Sequence, residues 1–268
     1  MKTFDYEADA CEGVVFSLLV MYFSNVAKRR AMKVYGSGLI RCGLVLLLVF
    51  VASCRNGKES GSVNGHVSGM IRKGQCLLVG GKNLYSGYQP RNERGDIQVV
   101  VEIPAGTNEK WEVDKDSGNL EWEVKEGKPR VVKYLSYPGN YGMVPRTLLP
   151  EESGGDGDPL DVIVLGPAVP RGTILQAQLI GMIRMLDEGK QDNKLIAVML
   201  DSHFGDIKSL EELESRYKGI TRILDIWFSS YKGPGVMQSG GMADTEEAKK
   251  VLQAAINAYA RLEASAEK

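Results

Sequence analysis

Asp156, Asp158 and Asp161 fall within six residues, in the run Asp-Gly-Asp-Pro-Leu-Asp at 156–161. Three carboxylates so close repel one another, so a fold keeps them together only where solvent or cations offset the charge. Hard oxygen donors on a short turn stiffened by Pro159 suit Mg2+ or Ca2+. An EF-hand loop carries an acidic or Asn ligand fifth and Gly sixth; Leu160 and Asp161 stand at those places, which excludes that motif. Taken alone, the segment reads equally well as a solvated acidic turn.

Other parts of the chain extend the same chemistry. Asp187 and Asp192 flank a turn, and Lys194 follows two residues later. Glu102 stands inside the apolar run 99–104, Val-Val-Val-Glu-Ile-Pro, where a carboxylate without a partner is costly. In Lys110-Trp111-Glu112 strand alternation puts Lys110 and Glu112 on the face opposite the indole. Tyr137 and Tyr141 frame the turn Tyr-Pro-Gly-Asn-Tyr-Gly, and Tyr231-Lys232 closes the run Ile-Trp-Phe-Ser-Ser-Tyr-Lys. Each residue has a plain structural reading: an edge-strand charge, a turn tyrosine, a helix-end lysine. As a set they describe a site for cations plus a polyanion, with carboxylates for metal and ammonium, guanidinium and phenol groups for phosphate oxygens.

Elements able to position these groups begin at residue 97. Ile97–Ile103 reads as a strand, and 111–113 with 120–124 flank a turn at Asp116-Ser117-Gly118, a hairpin pattern. Further strands are expected at 131–135, 161–165, 174–186 with a break at Gly181, and 194–200. No helical periodicity separates them, which argues against βαβ units. A closed or nearly closed antiparallel barrel fits these strands better. Ser209-x-x-Glu212 and Asp244-x-x-Glu247 mark helix starts. Ala248, Val251, Leu252, Ala255, Ile256, Tyr259 and Leu262 then make one apolar stripe at helical spacing.

The N-terminal part is different. Residues 42–53 are the most apolar stretch, preceded by Lys33 and Arg41; a dozen residues is short of the roughly 20 a membrane span needs. The pattern is that of an export signal, and Val51-Ala52-Ser53-Cys54 resembles a bacterial lipobox, in which Cys54 is lipidated. Met32 opens a well-proportioned signal of its own. We therefore expect a signal region over 1–53, a flexible tether and N-terminal extension over 54–95 with the start of the fold between about 71 and 96, and the main folded domain over 96–268. The expected location is the cell envelope, through a lipid on Cys54, or the cytoplasm if the signal is not used.

Composition excludes several classes. The 268 residues carry 33 basic and 34 acidic side chains, which argues against a broad nucleic-acid surface. Two histidines and four cysteines without CxxC spacing leave little for a three-histidine metal site, a zinc ribbon or a disulfide scaffold.

In order along the chain, VVVEIP (99–104), KWEVDKDSG (110–118), YPGNYG (137–142), DGDPLD (156–161), DEGKQDNK (187–194) and SYKGPG (230–235) resemble the soluble family I inorganic pyrophosphatases, over about residues 97–265. The resemblance implies a mainly β (α+β) fold, an OB-like five-stranded closed β-barrel with peripheral α-helices, and Mg2+-dependent hydrolysis of pyrophosphate to two phosphates, with several ions per site and Mn2+ or other divalent metals as substitutes. It makes Asp156, Asp161, Asp187 and Asp192 metal ligands and Asp158 the acceptor of a proton from the attacking water. Glu102 and Glu112 line the outer site, Glu112 through metal-bound water. Lys110, Arg130, Tyr141, Lys194, Tyr231 and Lys232 hold phosphate, and Tyr137 supports the cluster. It also implies a homo-oligomer; the charge balance argues against a nucleic-acid partner, and the lipobox makes a lipid anchor the one expected membrane contact. Two departures stand out: the Arg130 to Tyr137 spacing is one residue short, leaving Lys128 and Lys133 as alternatives to Arg130, and the loop 150–155 is longer. The family is usually cytoplasmic, so the export signal is itself unusual. Competing readings are a catalytically weak exported homologue and an OB-like anion- or nucleic-acid-binding module, the latter disfavoured by 7% aromatic content.

Overall fold

A computed structural model describes residues 65–67 and 70–266. The signal segment, Met32 and Cys54 lie outside the described residues. The strands are β1 (Gly65–Val67), β2 (Ile71–Arg72), β3 (Leu77–Val79), β4 (Ile97–Ile103), β5 (Trp111–Val113), β6 (Leu120–Trp122), β7 (Val124–Lys125) and β8 (Lys128–Pro129). They continue as β9 (Asn140–Met143), β10 (Asp161–Leu165), β11 (Thr173–Asp187), β12 (Lys190–Gln191), β13 (Lys194–Met199) and β14 (Met237–Ala243). The helices are α1 (Leu210–Arg216), α2 (Ile220–Ser230) and α3 (Thr245–Ala266).

Five strands pair in a ring: β4 with β9, β9 with β10, β10 with β13, β13 with β11, and β11 back to β4. The long β11 makes this ring. Its start, Ile174–Ala177, lies along β4, and its later part lies along β13 and β14. The register slips between Leu179 and Gly181, a bulge that bends the strand. A Cβ at Gly181 would sit 2.5 Å from Leu210 and 2.8 Å from the Ala243 carbonyl. The ring is not wholly antiparallel, because β10 and β13 run parallel; β11 itself provides the crossover between them, so no helix marks it in the sequence.

Alternation along the strands feeds two cores. Val162 and Val164 join Val99, Val101, Leu195 and Ala197, with Ala248, Leu252 and Ala255 of α3 packed against them. Ile163 and Leu165 face the other way, into a core with Leu213 of α1 and Leu224, Trp227 and Phe228 of α2. β10 is thus buried on both faces, which explains its unbroken apolar run.

Several expectations are corrected. The fold begins at the early end of the range expected for its start, so residues 70–95 are not tether: β3 pairs with β6, and Leu84 is fully buried. Gly118 has φ 66°, and a Cβ there would come within 2.1 Å of Asn83. Such long-range contacts leave no local pattern. β1, also within the tether range, pairs with β11. Residues 131–135 are not a strand; Val131 makes a single bridge to Glu109 and Leu135 is exposed. The α3 stripe ends at Tyr259, since Leu262 is exposed. Neither α2 nor the glycine-containing β14 is among the expected elements, although Ile220, Leu224, Trp227, Phe228 and Tyr231 of α2 and its C-cap recur at helical spacing. Both helix caps appear: Ser209 Oγ accepts the Glu212 N–H at 3.1 Å, and Asp244 Oδ1 accepts the Glu247 N–H at 2.8 Å.

Candidate active site

Register brings the first ion pair together. Asp161 opens β10 and Lys194 opens β13, and the parallel pairing sets the two directly opposite each other. The Lys194 ammonium donates to Asp161 Oδ2 and to Asp192 Oδ1. Tyr141, on the neighbouring β9, donates its hydroxyl to the same Asp161 oxygen at 2.6 Å. Lys194 is 2% exposed, so this cluster is buried, and each lone charge within it depends on the others.

The remaining carboxylates lie around it. Asp158 sits on the exposed turn and accepts from Lys115 Nζ at 2.7 Å. Asp156 Oδ1 accepts the Asp158 N–H at 3.0 Å, which shapes the turn. Asp187, at the end of β11, accepts from Lys232, which follows the end of α2. Lys110 and Glu112 form an ion pair at 3.5 Å. A cleft of about 210 Å³ is lined in part by Glu102, Lys110, Glu112, Lys115, Asp158 and Asp161; Asp156, Asp187, Asp192, Lys194 and Lys232 are not among its walls.

Burial and charge set the protonation states. Burial opposes the charge on Asp161, but Lys194 and Lys110 and two hydrogen bonds outweigh it and hold the carboxyl below its usual range. Burial pushes Asp192 up to about 6 despite Lys194, and also raises Asp156. Burial raises Glu102 to about 8, with Lys110 and the Val113 N–H acting in the opposite sense. Burial likewise raises Tyr137, Tyr141 and Tyr231, so all three phenols keep their protons and can donate. Lys194 is raised although burial opposes it, because Asp161 and Asp192 dominate.

Two expected residues are placed differently. Glu102 is not on the outer rim; it is 4% exposed and accepts the Val113 N–H at 2.7 Å. Arg130 directs Nη1 to both oxygens of Glu123, at 2.8 and 2.6 Å, and not to a site carboxylate. Its carbonyl accepts the Lys110 N–H at 3.0 Å, so it adjoins the site through the backbone. Lys128 and Lys133 are exposed.

Sequence reasoning missed Lys115, Asn140 and Trp227. Fully buried Asn140 accepts the Ala105 and Val169 N–H groups through Oδ1 and donates to the Pro167 carbonyl. It ties the loop after β4 to the β10–β11 loop beside Tyr141. An Asn within Tyr-Pro-Gly-Asn-Tyr-Gly was the available signal, hidden by its ordinary role in turns.

The donor set suits a hard divalent cation: the oxygens of Asp156, Asp161, Asp187, Asp192 and Glu112, with no thiol or imidazole. As the side chains stand, no group of three or more Asp, Glu, His or Cys converges among the described residues. Lysines are seated on the carboxylates instead, Lys194 on Asp161 and Asp192 and Lys232 on Asp187.

An OB-like barrel bearing carboxylates paired with lysines, and protonated phenols beside them, belongs to the class of metal- and phosphate-handling sites. The comparisons make the class specific. The inorganic pyrophosphatase family model matches residues 99–260. An inorganic pyrophosphatase from Gluconobacter oxydans is 39% identical over 168 residues, covering 61% of this chain and 91% of that protein. The solved Helicobacter pylori inorganic pyrophosphatase is similar at 35% identity and TM-score 0.53, covering 61% of this chain and 93% of that one. A type I inorganic pyrophosphatase from Toxoplasma gondii shares the fold at TM-score 0.67 and 24% identity, covering 72% and 98%. The chain belongs to the inorganic pyrophosphatase family.

Proposed function

We propose that this protein hydrolyses inorganic pyrophosphate to two phosphates with a divalent cation, Mg2+ in preference. The observation that carries the reading is the buried Lys194 bridging Asp161 and Asp192 beside Tyr141, within a chain of this family. Asp156, Asp161, Asp187 and Asp192 hold the cations, with Glu112 at the outer edge. Bound there, the cations neutralise the substrate and lower the pKa of a coordinated water.

The chain's own groups do the rest. Lys110, Lys194, Lys232, Tyr141 and Tyr231 receive the phosphate oxygens, the ammonium groups as charges and the phenols as donors. Asp158 lies at the cleft on an exposed turn and takes the proton as water oxygen attacks one phosphorus. The bridging P–O bond breaks, and its electron pair leaves with the second phosphate. Charge moving onto that phosphate is stabilised by the lysines and phenols already in place. Arg130 adjoins this set through the Lys110 backbone. Tyr137 packs against Tyr141 at 5.1 Å and supports it.

Phosphate release from pyrophosphate tests the reading. Purified protein with Mg2+ is expected to release two phosphates per pyrophosphate and to stop when EDTA is added. Absence of turnover with Mg2+, Mn2+ and other divalent metals would overturn it.

We further propose that residues 1–53 are an export signal, that Cys54 is lipidated and anchors the domain in the cell envelope, and that the protein is a homo-oligomer. Palmitate labelling that persists in Cys54→Ala would sink the anchor, and a monomeric mass by sedimentation would sink the oligomer.

A further inference from the structure

Trp227 lies on α2, four residues before Tyr231, so both side chains share one side of the helix. Its indole is nearly parallel to the Tyr231 ring, with centroids 4.8 Å apart and 10° between planes. The same indole meets the Tyr137 ring at 4.4 Å and 50°. Tyr137 in turn packs on Tyr141, whose hydroxyl binds Asp161. Trp227 is 4% exposed and forms the back wall of this group of phenols.

The indole is itself fixed. Its Nε1–H donates to the Leu135 carbonyl at 3.0 Å, and Tyr134 meets it at 6.2 Å. The 131–135 segment has no strand to hold it, and Leu135 is exposed, so this bond anchors α2 to the loop leading into Tyr137. A core tryptophan needs a partner for its N–H, but it does not need a near-parallel stack on a site phenol.

We infer that Trp227 is a positioning residue, which sets the plane of Tyr231 by stacking and holds that phenol ready for a phosphate oxygen. The inference rests on the pyrophosphatase reading. Trp227 touches no reacting atom; it acts through Tyr231.

Three variants and one double variant test it, with kcat and KM for magnesium pyrophosphate and calorimetric affinity for magnesium imidodiphosphate. Trp227→Leu removes the stack and is expected to raise KM about fivefold to tenfold and weaken imidodiphosphate by a similar factor. Its kcat should fall less than about threefold. Trp227→Phe keeps an aromatic face and should stay within about threefold of the parent on both constants. Tyr231→Phe should carry its own loss, and Trp227→Leu added to it should cost little more, because the two act as one unit.

If Leu prevents folding, Trp227→Met, whose unbranched flexible side chain adapts better to an irregular gap, is read in the same way. A lowered Tm with unchanged KM and imidodiphosphate affinity would overturn the assignment, as would multiplicative losses in the double variant. Equal impairment by Phe and Leu would also overturn it, since the stack would not be the cause. A parent protein that neither hydrolyses pyrophosphate nor binds imidodiphosphate removes the functional reading and the Trp227 role with it. An active parent with an unaffected Trp227→Leu variant removes only the latter.

Discussion

Replacing Lys194 by Met keeps the aliphatic stem and deletes the charge. In the parent the ammonium is 2% exposed and bound to both Asp161 and Asp192. Without it, two largely buried carboxylates face a space with no cation between them. Removing one partner of a buried pair costs about 3–5 kcal/mol. Asp161 keeps its bond from the Tyr141 hydroxyl and its side chain is 24% exposed, so the lower end, about 3 kcal/mol, is expected at pH 7.5 without metal. The sign with pH follows from linkage. Deleting the ammonium raises both carboxyls in the folded state above their unfolded values. Such groups contribute stability that is present below the unfolded pKa and lost as pH rises through the folded pKa. The deficit relative to the parent is therefore smallest near pH 4 and grows toward pH 7.5. A divalent cation supplies the missing charge, so Mg2+ should recover part of the loss by binding only the folded state. Urea denaturation of parent and Lys194→Met at both pH values, with EDTA and with Mg2+, measures all three effects. A deficit that is the same at both pH values and unchanged by Mg2+ would refute the electrostatic argument and leave only lost packing.

Three further outcomes are expected. Glu102, raised to about 8 by burial, contributes stability present below its unfolded pKa and lost as pH rises through 8. Glu102→Gln, which can keep the bond from the Val113 N–H, should flatten the decline in metal-free stability between pH 5 and 9 by a few kcal/mol, on the order expected for a moved carboxyl; parallel urea curves for the two proteins would contradict this. Asp158→Asn should melt within about 1 kcal/mol of the parent, because it breaks only an exposed ion pair with Lys115. Its phosphate release should fall about a hundredfold or more, and parent-like turnover would remove Asp158 as proton acceptor. Gly142→Ala would place a Cβ 1.8 Å from the Val100 carbonyl, forcing β9 off β4 at a cost of about 3 kcal/mol or more; an unchanged thermal midpoint would disprove the tight approach.

The site was legible in unequal measure. Asp156, Asp158 and Asp161 could be found because their crowding within six residues is costly unless something offsets it. The same holds for Glu102, whose burial within an apolar strand signals its importance while leaving its position in the cleft open. The contact of Arg130 with Glu123 could not be read, because it is fixed by the turn between them and not by residue type. Lys115 looked like one more charge in an acidic hairpin, and only the folded approach to Asp158 distinguishes it. Trp227 and Asn140 read as a core aromatic and a turn residue; their roles come from what lies opposite them.

The sequence by itself determined the chemistry available to this protein: hard carboxylate oxygens, lysines and phenols with almost no histidine, carried on β-prone runs whose alternation requires two apolar faces. Residue type and spacing suffice there because charge repulsion and strand periodicity are local. Tertiary structure alone decided which lysine meets which carboxylate, that β10 and β13 run parallel so Lys194 faces Asp161, that 70–95 belongs to the fold, and that an indole backs Tyr231. Those outcomes depend on register and closure between segments tens of residues apart, which no short-range pattern encodes.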